Sequence, residues 1–123
     1  MLSLPPAVRI FASTQATDMR YGFDRLAMLA QTVLGQDPFS GHLFVFFNRR
    51  SDRCKILFWD RSGFCLWCKR LEQGVFRLPP HQADTQRLLI SMAELSLILE
   101  GIDLRNVKTH KRYVRVTENI SFK

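Results

Sequence analysis

Apolar residues follow two different periods along this chain, and the switches between them mark its elements. From Thr17 to Gly35, residues Met19, Phe23, Leu26, Ala30 and Val33 recur at steps of four, three, four and three, which lays one apolar stripe along a helix. Thr17 or Asp18 is placed to cap the start, Gly35 to end the helix, and Pro38 bars its continuation. Gly22 fits poorly inside this span, since glycine in a helix interior costs up to ~1 kcal/mol against alanine. A second helix is signalled by Ser91-Met92-Ala93-Glu94, an S-x-x-E capping box. Leu95, Ile98, Leu99 and Ile102 follow at helical spacing, with Gly101 as the stop.

Between the helices the pattern changes to short aromatic and β-branched runs: Leu43 to Phe47, Ile56 to Trp59 and Phe64 to Leu71. Bounded by Gly, Asn, Asp and Ser, such runs read as strands joined by hairpins. Asn48 to Asp52 makes the first connection, with Arg49 and Arg50 at its tip, and Asp60-Arg61-Ser62-Gly63 makes a tight turn. Val75 to Leu78 reads as a further strand ended by Pro79-Pro80, and Arg87 to Ile90 as a short edge strand. Before the first helix, Val8, Ile10 and Ala12 alternate with Arg9 and Phe11 as a short strand, and Ala12 to Thr17 reads as a polar connection. The expected fold is α+β: a largely antiparallel β-meander sheet with two helices packed on one face. The expected organisation is one domain over residues 1–104 and a basic arm over 105–123.

Charge changes this picture from a fold to a surface. Eighteen Lys and Arg stand against eleven Asp and Glu in 123 residues, a formal net charge of +7. That balance favours an anionic partner. Three clusters carry it. Arg49, Arg50, Arg53 and Lys55 surround Asp52. Lys69 and Arg70 lie with Glu72 and Arg77 and are placed to share a face with Lys55. The tail carries Arg105, Lys108, Lys111, Arg112, Arg115 and Lys123 against Asp103 and Glu118. Arginine suits bidentate phosphate contacts, and a cationic arm binds nucleic acid by releasing counterions. The alternative is a solvated hairpin tip that guards a sheet edge, cross-strand ion pairs, and a solubilising tail.

The aromatics Phe44, Phe46, Phe47, Phe58, Trp59, Phe64 and Trp67 are numerous enough to cover both faces of each strand, so they read as core. An excess aromatic, Phe47 or Trp67, is a candidate for exposure toward a protein partner. Cys65 and Cys68 have C-x-x-C spacing, but within a strand residues three apart face opposite ways. No second such pair occurs, His42, His81 and His110 are scattered, and the expectation is free thiols without metal or other cofactor. The carboxylates are dispersed, no P-loop, G-x-S-x-G or H-E-x-x-H occurs, and no enzyme activity is expected; the alternative kept open is a magnesium-dependent nuclease. No apolar run reaches the ~18 residues that span a bilayer. The start MLSLPPAVRIF lacks a basic region followed by a long apolar one, so a cytoplasmic protein without membrane contact is expected.

Four blocks carry a more specific likeness: TDMRYGFDRLA at 17–27, DPFSGHLFVF at 37–46, KILFWDRSGFCLWCKRLEQGVF at 55–76 and LEGID at 99–103. In this order they resemble the small accessory protein, the second open reading frame product, of the insertion sequence 66 family of bacterial transposable elements. The resemblance runs over roughly residues 4–105. It departs from the family's pattern at three positions: the family frequently has a basic residue where this chain has Phe47, a glycine where it has Ser51, and an aromatic where it has Cys68. It implies a non-catalytic accessory role in transposition and DNA recombination, beside a separate transposase and the element's other protein. With the charge clusters, it leads to the expectation that Arg49, Arg50, Arg53, Lys55, Lys69, Arg70, Arg105, Lys108, Lys111, Arg112 and Arg115 hold element-end DNA. The rival expectation is a protein-interaction subunit whose aromatics and DPFSG loop dock the transposase without direct DNA contact.

Overall fold

A parallel pair of strands cannot be joined by a tight turn, and that constraint organises the molecule. The computed structural model describes residues 7–102. In it β1 (Ile10–Ala16) lies parallel to β2 (Leu43–Phe47), and the crossover between them carries α1 (Phe23–Thr32). Two hairpins then add β3 (Arg53–Asp60) and β4 (Gly63–Arg70) antiparallel. The chain returns to the far edge, where β5 (Arg87–Ile90) pairs antiparallel with β1, and α2 (Met92–Leu99) follows. The sheet order is β4-β3-β2-β1-β5, and three of its four pairings are antiparallel. The α+β expectation with a β-meander therefore stands.

The helices do not share a face. Leu26, Ala30 and Leu34 of the α1 region pack with Phe11, Phe44, Phe46 and Leu57 on one side of the sheet. Leu95 and Ile98 of α2 pack with Ile10, Ala12, Val45, Phe47, Cys54 and Ile56 on the other. The reason lies in β2: all five residues of LFVFF are buried, and alternate side chains leave opposite faces. A central strand apolar on both faces needs cover on both, so one helix goes to each. Phe47 is thereby core, 6% exposed and 5.5 Å from the Phe76 ring, and Trp67 is half-buried against the α2-side core. Neither is the exposed aromatic expected from sequence.

Each helix also draws a cation from a strand to its C-terminal end, at Leu34 just past the C-cap of α1 and at Leu99, the last residue of α2. Arg87 of β5 donates to the Leu34 carbonyl at 2.6 Å, and Lys69 of β4 donates to the Leu99 carbonyl at 2.7 Å. These are the ends where unsatisfied carbonyls and the helix dipole favour positive charge.

Several elements differ from the sequence reading in extent. The first helix starts at Phe23, with Gly22 in extended conformation as its N-cap. Asp18 instead accepts the Arg20 backbone N–H at 2.8 Å and forms a turn before the helix. The glycine that looks misplaced inside the helix is thus the residue that admits the chain into it. β1 runs on to Ala16, into the stretch read as a connection. Residues 71–86 contain no strand, although Val75 to Leu78 reads as one. The Phe76 N–H goes to the Ser51 carbonyl of the β2–β3 loop at 2.6 Å, so it joins a loop and not a ladder. The capping box at Ser91 forms in full, with Glu94 N–H on Ser91 Oγ at 3.0 Å and Ser91 N–H on Glu94 Oε1 at 2.8 Å. No helix among the described residues is long and apolar enough to cross a membrane. The basic arm, with Arg105, Lys108, Lys111, Arg112 and Arg115, lies outside the described residues.

Candidate nucleic-acid interface

The loop 48–52 between β2 and β3 is built around one side chain. Asn48 Oδ1 accepts the backbone N–H groups of Asp52 and Arg53, each at 3.0 Å, and its Nδ2 donates to Asp52 Oδ1 at 2.7 Å. Ser51 completes the turn in the left-handed region at φ 58°, and its N–H returns to the Asn48 carbonyl at 3.0 Å. The incoming segment 71–76 clamps this loop from outside: Leu71 N–H donates to the Asp52 carbonyl at 2.8 Å, beside the Phe76 bond to Ser51. Arg49 and Arg50 at the tip are exposed, on a backbone fixed at both ends.

Against this loop stands the turn 17–20 that follows β1. Between them opens a cleft of about 660 Å³ lined by Arg20, Arg49, Arg50, Arg53 and Arg70. The register explains the convergence. Arg53 pairs directly with Arg70 across β3 and β4, so both side chains leave the same face, the one that carries α1. A smaller hollow of about 270 Å³ continues the cleft over Lys55 and Cys68, which form the next pair on that face.

Two aspartates share the cleft, and both are engaged. Asp18 takes Arg20 Nη2 at 2.7 Å, and those Arg20 hydrogen bonds hold its carboxyl at about 2, below the usual 3.8. Asp52 is lowered as well, chiefly by the hydrogen bond from Asn48. Arg70 meets Glu72 at 3.1 Å. Among the described residues no acidic side chain pairs with Arg49, Arg50 or Arg53. Five arginines against two aspartates leave a cationic trough, and planar guanidinium forks match phosphate oxygens in pairs.

The residues named from sequence therefore divide. Arg49, Arg50, Arg53 and Arg70 come together in the cleft. Lys55 lies at its margin with its ammonium on the Tyr21 carbonyl at 2.8 Å, and Lys69 sits on the opposite face, on Leu99. Lys69 thus does not share a face with Lys55, since adjacent strand positions alternate. Sequence alone does not single out Arg20, because TDMRYG reads as the start of the helix. Asp18 followed closely by Gly22 was the available signal for a turn.

The thiols behave as their places dictate. Cys65 and Cys68 lie on opposite faces of β4, paired with Phe58 and Lys55. Burial pushes the Cys54 thiol up to about 12, and all three cysteines are free. Among the described residues no group of three or more His, Cys, Asp or Glu is placed to hold a metal ion.

At the other end of β3, Trp59 meets Phe64 and Phe39 at centroid distances of 5.0 Å each, and Phe39 lies 5.3 Å from Phe64. Phe39 belongs to the DPFSG loop and is 57% exposed. Arg53 and Trp59 are six residues apart on one strand, so the arginine end and the aromatic end lie roughly 20 Å apart.

The fold is a five-stranded mixed sheet with one helix on each face and an arginine-lined cleft at the end that carries the 48–52 loop. The chain belongs to the family described as IS66 Orf2 like protein, whose model matches residues 8–109. It is thus a transposition-associated accessory protein of an insertion sequence. It is similar to the uncharacterized protein y4hO of Sinorhizobium fredii (strain NBRC 101917 / NGR234), 40% identical over 116 residues, covering 94% of this chain and 99% of that one. It is also similar to the uncharacterized protein y4jC of the same strain, 38% identical over 108 residues, covering 88% and 91%. No solved structure matches it.

Proposed function

We propose that this protein is a non-catalytic accessory factor that acts in the cytoplasm and holds element-end DNA through the arginine cleft while the transposase acts. The observation that carries this reading is the convergence of Arg49, Arg50, Arg53 and Arg70, from a loop and two strands, on one trough with Arg20 opposite. Separate parts of the sequence supply one surface of net positive charge, as a polyanion requires. The loop that presents Arg49 and Arg50 is braced by Asn48, so little ordering entropy is lost on contact. The residues of the arm, Arg105, Lys108, Lys111, Arg112 and Arg115, add a second set of counterion-releasing contacts in this reading, on the same strand of DNA. A gel-shift titration with duplex element-end DNA at low salt tests it. Saturable binding by the full chain supports the reading, and no binding defeats it.

A second contact is favoured by the exposed Phe39 with Trp59 and Phe64. An aromatic cluster at the end remote from the cleft suits docking of the transposase while the cleft stays free for DNA. Co-purification with the transposase after nuclease treatment, lost in Phe39→Ser, supports that contact; retention in the variant removes it.

A further inference from the structure

The loop 48–52 has a second cleft on its other side. It measures about 530 Å³ and lies at the carboxyl ends of the parallel strands β1 and β2, where open sheets with parallel strands commonly place ligands. Its floor is the pair of buried rings Phe47 and Phe76, and its wall is Pro79 and His81. The two clefts share Ala16, Asn48 and Arg49, so the loop is the partition between them.

The second cleft carries the cations Arg49 and Arg77 and differs from the first in its aromatic floor; among the described residues no carboxylate lines it. Gln15 lines it and is exposed, and among the described residues its side-chain amide has no hydrogen-bond partner. An amide presents one acceptor and two donors side by side, the complement of a base edge. The His81 ring is anchored by a 2.9 Å contact between Nδ1 and the Pro79 carbonyl, which fixes its orientation. Histidine rings stack on unpaired bases, and the prolines add a flat apolar wall. The segment that supplies this wall runs through 71–86 without strand or helix, a length that is uncommon unless the loop serves a purpose.

We propose that this second cleft receives an unpaired nucleobase from a strand whose phosphates run through the arginine cleft, with Arg49 bridging the two. The inference rests on the proposed DNA contact and refines its substrate: single-stranded or locally opened DNA is preferred over intact duplex. A nucleotide carries its base and its phosphate on either side of one sugar, and the partition at Asn48 and Arg49 separates a site suited to each.

The test is fluorescence anisotropy with the full chain at one low salt concentration and three probes: a single strand, the same strand annealed to its complement, and the same strand made abasic. The single strand binds at least about fivefold more tightly than the other two, the range expected for stacking one base. Gln15→Ala and His81→Ala, both surface changes, remove this preference and leave duplex affinity unchanged. Equal affinity for all three probes, or tighter duplex binding, overturns the base cleft and leaves the DNA-binding reading standing. Failure to bind any probe overturns that reading, and the base cleft with it.

Discussion

Asn48 and Asp52 close the β2–β3 loop on itself: the amide nitrogen of one donates to the carboxylate of the other at 2.7 Å, while the Asn48 oxygen accepts the Asp52 backbone N–H at 3.0 Å. The relationship sets the positions of Arg49 and Arg50, which lie between the two residues. A loop with this many internal bonds is part of the scaffold, and its arginines are presented at fixed positions.

Asn48→Ala removes three hydrogen bonds, two of them to backbone donors. It is expected to destabilise the fold by about 1–3 kcal/mol. Chemical denaturation measures the stability change. DNA affinity falls as well, although no charge has been lost, because Arg49 and Arg50 lose their fixed spacing.

Ser51 holds φ 58°, a conformation that glycine adopts without a Cβ penalty. Ser51→Gly is expected to raise stability by about 0.5–1 kcal/mol, read as a higher urea midpoint at unchanged slope. DNA affinity stays the same.

Lys69 is bonded to the end of α2, and its role is structural in this account. Lys69→Met is expected to cost about 1 kcal/mol of stability through the lost carbonyl and dipole contact. Its effect on the salt dependence of DNA binding is small beside that of Arg50→Gln. A loss of DNA affinity equal to that of Arg50→Gln would move Lys69 into the interface.

The Cys54 thiol is held neutral by burial, with its pKa raised from 9.0 to about 12. The folded state therefore keeps a proton that the unfolded state releases between these values. Stability is full below pH 9 and declines as pH rises toward 12. Cys54→Ala flattens that decline relative to the native chain in denaturation series across this range. Thiol labelling at neutral pH is fast at exposed Cys68 and slow at Cys54 until the chain unfolds.

The local signals in the sequence were legible wherever one element decided the outcome. The capping box at Ser91 and the aromatic runs of the meander depend on neighbours in the chain, and they form as read. Most of what is not legible depends on partners far away, the turn at Asp18 being the local exception. β2 is apolar on both faces, which announces two covering layers, yet its sequence does not say which helix goes to which side. Val75 to Leu78 has strand-like residues, but the Phe76 N–H goes to the Ser51 carbonyl in another loop. The charge clusters were visible as clusters. Their sorting into cleft, margin and far face follows from the register of Arg53 with Arg70 and Cys54 with Lys69, which only the folded sheet fixes.

The most direct test of the cationic cleft is the salt dependence of DNA affinity, compared between the native chain and an Arg49→Gln, Arg50→Gln, Arg53→Gln variant of unchanged stability. For duplex DNA, the native chain gives a steep linear fall of log affinity with log salt, and the variant loses about 0.9 of slope for each phosphate contact removed. Identical slopes and affinities for the two proteins would contradict the account.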